Sequence, residues 1–183
     1  MEFKTITIEQ RPMYVIDNAV TEEEVHDFYN LVTNLSFTRT ERDNRGDAHC
    51  IFNAEFIPEK VETSLRVGVV ARQLLQKFFP DSEYLLQRSY INMSHYGDMA
   101  YPHRDCALSA KDVTVLYYAN KDWDYRWGGE TIFYENHESE NIVMPKPGRF
   151  LIFPGFIEHK GAVPTRECVS SRFTFAFKYK ERQ

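Results

Sequence analysis

Up to Pro80 the apolar residues of this chain recur at three- and four-residue intervals, whereas from Tyr84 onward they gather in short runs of Val, Ile, Tyr, Phe and Thr. The first spacing is that of one face of a helix; the second is that of half-buried strands. Residues 14–17 read as a short apolar strand. Thr21, with Glu24 three positions on, forms a capping box, so a helix is expected to run from there to about Asn34. Val25, Phe28, Tyr29, Val32 and Leu35 give it an apolar face that suits the cover of a sheet. Pro58 opens a second and longest helix, carrying Val61, Leu65, Val69, Leu74, Leu75, Phe78 and Phe79 and stopped at Pro80-Asp81. Between the two helices, residues 37–53 have little periodicity and read as a mobile loop or irregular hairpin, a candidate lid extending to about residue 56.

Strands are expected at about 84–95, 100–106, 112–119, 130–135, 149–154, 158–163 and 170–179, separated by Asn120-Lys-Asp, Trp127-Gly-Gly and Pro145-Lys-Pro-Gly148. Helices followed by strands indicate α+β rather than alternating α/β, and so many short strands suggest an antiparallel barrel or jelly roll. Two N-terminal helices would support it, with the helical part over about 1–83 and the barrel over about 84–179. No internal repeat or linker divides the chain, so residues 1–183 are expected to form one domain.

Composition narrows the function. Hydrophobic residues are 43% and charged residues 27%, values of ordinary folded proteins that exclude disorder and fibrous classes. The net charge of −5, with no run of Lys or Arg, argues against nucleic acid as a partner. No segment approaches the roughly 20 apolar residues of a membrane span. The start lacks a secretory signal, and three cysteines cannot all pair within one chain, so a cytoplasmic address is expected.

The candidate chemistry begins at His103-Arg104-Asp105. On a strand, positions i and i+2 share a face, so an imidazole and a carboxylate would converge there as two metal ligands. His159, 54 positions after Asp105 and just past the apolar run 150–153, is a third. Two His and one carboxylate suit non-haem Fe(II) with positions left open for substrate and O2, but they also suit zinc. Arg172, 13 positions past His159, lies in an otherwise apolar strand and therefore needs an anionic partner, which a small dicarboxylate would supply. Tyr118 is a phenol that would donate to the same oxygens. Arg166 is a rival for the role of Arg172. Arg88, if it faces inward, would pair with a substrate carboxylate. His26, His49 and His137 suit the surface, His95 strand packing, Arg104 the outside of the barrel, and Cys106 a packed thiol.

The segment from Thr114 to Asp124, Thr-Val-Leu-Tyr-Tyr-Ala-Asn-Lys-Asp-Trp-Asp, follows His103-Arg-Asp105 and precedes Gly128-Gly-Glu-Thr-Ile-Phe133. Together these resemble the prolyl 4-hydroxylase group of Fe(II)/2-oxoglutarate dioxygenases, over about residues 84–179. The Tyr-Tyr-x-Asn-Lys-Asp-Trp-Asp part is similar to the oxygen-sensing prolyl hydroxylase domains and their bacterial relatives. The resemblance implies a double-stranded β-helix barrel with Fe(II) on His103, Asp105 and His159. It also implies 2-oxoglutarate on Arg172 and Tyr118, with Tyr96 lining the cosubstrate pocket. O2 would be consumed, with ascorbate as an accessory reductant. The implied reaction hydroxylates a C–H bond of an amino acid, a peptidyl residue such as proline or a natural-product intermediate, releasing succinate and CO2. The partner would then be a small molecule or peptide. Other classes compatible with the same donors are a non-catalytic metal- or carboxylate-binding barrel and a cupin-like metal hydrolase or isomerase. The His-to-Arg spacing of 13 exceeds the nine to eleven common in that family, which is why Arg166 competes.

Overall fold

The structure, a computed structural model, describes residues 1–182. Two antiparallel strands, β1 (Glu2–Ile8) and β2 (Arg11–Asp17), precede helix α1 (Glu22–Thr33). The capping box holds as the spacing predicts: Thr21 Oγ1 accepts from Glu24 N, and the Glu24 carboxylate accepts from Thr21 N. A hairpin of β3 (Thr38–Glu41) and β4 (Ile51–Phe56) follows, then α2 (Pro58–Ser64) and α3 (Arg66–Phe78). The expected single second helix is thus two, broken at Leu65, which is extended (φ −107°, ψ 115°). The reason lies in phase: Val61 and Leu65 define one stripe and Val67, Val70, Ala71 and Leu74 another, and only a turn at Leu65 brings both to the same core.

The remaining strands are β5 (Tyr84–Ser94), β6 (Val113–Tyr118), β7 (Thr131–Glu135), β8 (Glu138–Val143), β9 (Phe150–Pro154), β10 (His159–Gly161) and β11 (Arg172–Glu181). They form an eight-stranded sheet in the order β1-β2-β9-β6-β11-β5-β4-β3 and a three-stranded sheet β10-β7-β8. The architecture is an α+β jelly roll. Three differences from the sequence reading matter, and one of its open alternatives is decided. The first 83 residues contribute four strands as well as helices, and these lengthen both edges of the large sheet. The helices there number three, not two. Residues 37–56 are the irregular hairpin that the sequence reading allowed and not its mobile loop, and the hairpin is supported by pairing to β5, with Asn53 opposite Asn92 and Ala54 opposite Ile91. Residues 100–106 form no strand; only His103 makes an isolated bridge, to His159.

The large sheet is buried on both faces, as alternation along β11 makes plain. Phe173, Phe175, Phe177 and Tyr179 join the helices in one core, where Phe28 stacks on Phe175 with ring centroids 5.6 Å apart. The intervening Arg172, Thr174, Ala176 and Lys178 face the opposite way, onto a cavity. A second apolar cluster, containing Met13, Val15, Phe133, Val143, Leu151 and Phe153, closes the space between the two sheets. None of the helices is long and apolar enough to cross a membrane.

Candidate active site

Backbone pairing brings the two histidines together. His103 N donates to His159 O at 2.9 Å, and His159 N donates to His103 O at 3.0 Å. Asp105 N donates to Gly155 O at 2.7 Å, which ties the third residue to the turn between β9 and β10. The residues predicted to lie on one strand therefore sit on an irregular segment that is hydrogen-bonded across to the barrel, and they still converge. One donor atom from each of His103, Asp105 and His159 lies within 4.8 Å of the others. His103 Nε2 is 3.6 Å from Asp105 Oδ1, and His159 Nε2 is 3.7 Å from Asp105 Oδ2.

The ring orientations suit metal binding. His103 Nδ1 lies 3.0 Å from the Tyr101 carbonyl and His159 Nδ1 lies 2.9 Å from the Ile157 carbonyl. A carbonyl can only accept, so each Nδ1 carries the proton and each Nε2 presents a lone pair to the centre. His159 is 6% exposed, and burial pushes its pKa down to about 3, which keeps that lone pair available. Burial, the largest single influence, would raise the Asp105 carboxyl, but the charges and hydrogen bond around it, those of Lys178 first and then of His159 and His103, together hold it well below the usual carboxylate range. Two imidazoles and one carboxylate, turned toward a cavity of about 510 Å³, fit a divalent ion with positions left for other ligands.

Arg172 lies in the same cavity and is 4% exposed. Its Nε donates to Gly129 O at 2.6 Å, and its terminal nitrogens make only long contacts, to Thr174 Oγ1 at 3.4 Å and Thr131 Oγ1 at 3.5 Å. No carboxylate among the described residues pairs with it, and burial lowers its pKa. Two glycines make room for the guanidinium. Gly129 takes φ +75°, and a Cβ there would come within 2.9 Å of Arg172 Cδ; a Cβ on Gly161 would lie 3.3 Å from Nη1. An unpaired buried cation at a cavity wall is a receptor for an anion.

The other singled-out residues divide. Tyr118 packs behind Arg172, whose Cζ is 5.7 Å from its ring centroid, but the phenol is already bonded to Thr131 Oγ1 at 2.7 Å and Val143 O at 3.1 Å. Tyr96 does not line the cavity: it is 64% exposed, in the turn after β5 where Gly97 takes φ +90°. Arg88 does reach the cavity, yet its guanidinium is held by both oxygens of Glu41, at 3.0 and 2.6 Å, and by Glu55, so it offers no vacant fork for a carboxylate. Arg166 is exposed and away from the cavity, which leaves Arg172 without a rival. Arg104, expected outside the barrel, is among the residues lining the cavity and pairs with Glu9. Sequence reasoning missed Lys178 and Thr114, both bonded to Asp105 Oδ2. Counting alternate positions from Arg172 along the strand would have placed Lys178 on the cavity face.

Comparison with known proteins bears on this geometry. Residues 91–179 match the family model of the 2OG-Fe(II) oxygenase superfamily. The matched stretch runs from strand β5 into β11, so the barrel of this chain is similar in sequence to that superfamily. The family's name carries Fe(II) and 2-oxoglutarate, and the three clustered donors of this barrel suit such a metal. Among solved structures, a Pseudomonas putida prolyl-4-hydroxylase superposes with a TM-score of 0.69 at 15% identity, with 93% of each chain covered. The viral collagen prolyl hydroxylase of Paramecium Bursaria Chlorella virus-1 gives 0.67 at 15%, covering 97% of this chain and 93% of that one. A Trichoplax adhaerens prolyl hydroxylase, in complex with a hypoxia inducible factor oxygen degradation domain peptide fragment, gives 0.61 at 18%, covering 92% and 83%. At these identities the likeness is one of fold. None of the curated proteins matches the sequence of this chain.

Proposed function

We propose that His103, Asp105 and His159 hold Fe(II), that Arg172 binds the far carboxylate of 2-oxoglutarate, and that the enzyme hydroxylates an unactivated C–H bond, releasing succinate and CO2. The substrate class is an amino acid, a peptidyl residue such as proline, or a small natural-product intermediate. The observation that carries the reading is the pairing, in one cavity, of three donors within 4.8 Å with a buried guanidinium that forms no ion pair with any carboxylate among the described residues. A metal hydrolase has use for the three donors but none for Arg172.

Bound Fe(II) and 2-oxoglutarate together supply oxidation of a C–H bond at the expense of O2. The chain supplies placement. Tyr101 O and Ile157 O fix the imidazole tautomers, so that each ring turns Nε2 to the metal. Arg172 supplies a two-point fork for a carboxylate, stiffened through Nε by Gly129 O. Behind it Tyr118 serves as a wall rather than a donor, since Thr131 and Val143 occupy its hydroxyl. Arg88, committed to Glu41 and Glu55, braces the β3–β4 hairpin over the cavity instead of binding substrate. Residues 1–183 are read as one domain, since both sheets and the helices share continuous cores.

The test is succinate formation from 2-oxoglutarate with Fe(II) against Zn(II), together with mass-spectrometric screening of amino acids and peptides for a gain of one oxygen. Fe(II)-dependent succinate that disappears in His103→Ala supports the reading. Turnover with Zn(II), or without 2-oxoglutarate, would refute it.

A further inference from the structure

Lys178 stands six residues beyond Arg172 on the cavity face of β11, paired in register with Thr114 of β6. Its Nζ donates to Asp105 Oδ2 at 2.5 Å, and Thr114 Oγ1 donates to the same oxygen at 2.5 Å. Asp105 Oδ1 has neither donor and faces His103 Nε2. An unconstrained carboxylate can give a divalent ion one oxygen or both, because its two oxygens are equivalent acceptors. Two donors on Oδ2 break that equivalence. Each oxygen lies near one histidine, Oδ1 3.6 Å from His103 Nε2 and Oδ2 3.7 Å from His159 Nε2, but an ammonium and a hydroxyl engage the lone pairs of Oδ2 while Oδ1 accepts from neither.

Resting on the metal assignment proposed above, we infer that Lys178, assisted by Thr114, restricts Asp105 to ligation through Oδ1 alone and so keeps one coordination position open for 2-oxoglutarate or O2. Lys178 is a positioning residue: it touches the far oxygen of the carboxylate, and its cation also repels the divalent ion next to it. Removing it therefore has two effects of the same sign. The repulsion is lost and the second oxygen becomes available, so the metal binds more tightly. The cosubstrate, which needs two adjacent positions, then binds less well. A residue that merely supported the fold would weaken the metal site when removed.

The experiment uses the full chain, freed of metal, titrated with Fe(II) under anaerobic conditions by calorimetry and then with 2-oxoglutarate while the visible charge-transfer absorption is followed. Lys178→Met is expected to lower the Fe(II) Kd roughly tenfold or more while weakening that absorption, given two charge effects acting together at short range. Lys178→Arg, which keeps a cationic donor, is expected to behave as the parent. Thr114→Val, which keeps the Lys178 charge and removes one donor, is expected to weaken the absorption with circular dichroism unchanged, and it carries the test if Lys178→Met fails to fold. Fe(II) binding by Lys178→Met no tighter than the parent's, or an unchanged absorption in Thr114→Val, overturns the inference alone. A parent protein that takes up no Fe(II) overturns the metal assignment with it.

Discussion

A guanidinium such as that of Arg172 is stable in a dry cavity only while its polar contacts and an eventual anion replace water. Of its nitrogens, Nε alone has a short partner, Gly129 O at 2.6 Å. Truncating one member of a buried charged pair costs about 2–5 kcal/mol. Arg172→Ala is therefore expected to raise the 2-oxoglutarate Kd at least about 30-fold while leaving Fe(II) affinity alone unchanged. Calorimetry with each ligand separately checks this, and normal cosubstrate affinity would remove the assigned role. His159 makes a second prediction at this scale. Burial lowers its pKa from 6.5 to about 3, so between those values the unfolded chain binds a proton that the folded chain refuses. The metal-free protein should thus hold this contribution fully above about pH 6.5 and lose it as the pH falls toward 3, a loss absent from His159→Gln. Tm measured against pH for the two proteins is the check. The donors and Arg172 were legible as residue types in the sequence. The commitment of Arg88 to Glu41 and Glu55 was not, because those partners arrive from strands 33 to 47 residues away.

Elements differ in how locally they are written. Helix α1 is local: Thr21 and Glu24 satisfy each other's backbone amides, and Thr21→Ala is expected to cost about 1 kcal/mol, the usual worth of a cap, measured by urea denaturation. Strand β11 is set by burial on both faces, with Phe175 fully buried between Phe28, Phe56 and Phe177. Phe175→Ala should cost about 3–5 kcal/mol, read as a fall in the denaturation midpoint. The elements that escaped the sequence reading are those whose stability is borrowed. β1 carries Glu2, Lys4 and Thr5 on exposed positions and exists because it pairs along its whole length with β2. β3, Thr38–Glu41, is short and polar and is held by β4 and by the Glu41–Arg88 ion pair. Polar edge strands of this kind lack the alternation by which strands are recognised. The segment carrying His103 and Asp105 failed in the opposite sense: its spacing suggested a strand, yet Pro102 and the polar residues after it leave only a single bridge to His159.

At the scale of the molecule, the large sheet keeps a helical core on one face and a charged cavity on the other, so ligand binding and folding are coupled through the same strands. Fe(II) with 2-oxoglutarate binds the folded chain only. At ligand concentrations about 100-fold over Kd it should stabilise the protein by about 2.7 kcal/mol, seen as a rise in Tm that Arg172→Ala loses for the cosubstrate but retains for the metal. By itself the sequence determined the order of helices and strands, the capped start of α1, the aromatic alternation of β11 and the identity of the donors, because periodicity, caps and residue chemistry are properties of neighbouring positions. Only the tertiary structure decided that His103 and His159 meet through a backbone bridge, that Tyr96 faces solvent, that Tyr118 and Arg88 are already bonded, and that Lys178 grips Asp105. Each of these depends on which distant strands become neighbours. That choice is made by burying two faces of one sheet at once, and no local stretch of chain contains it.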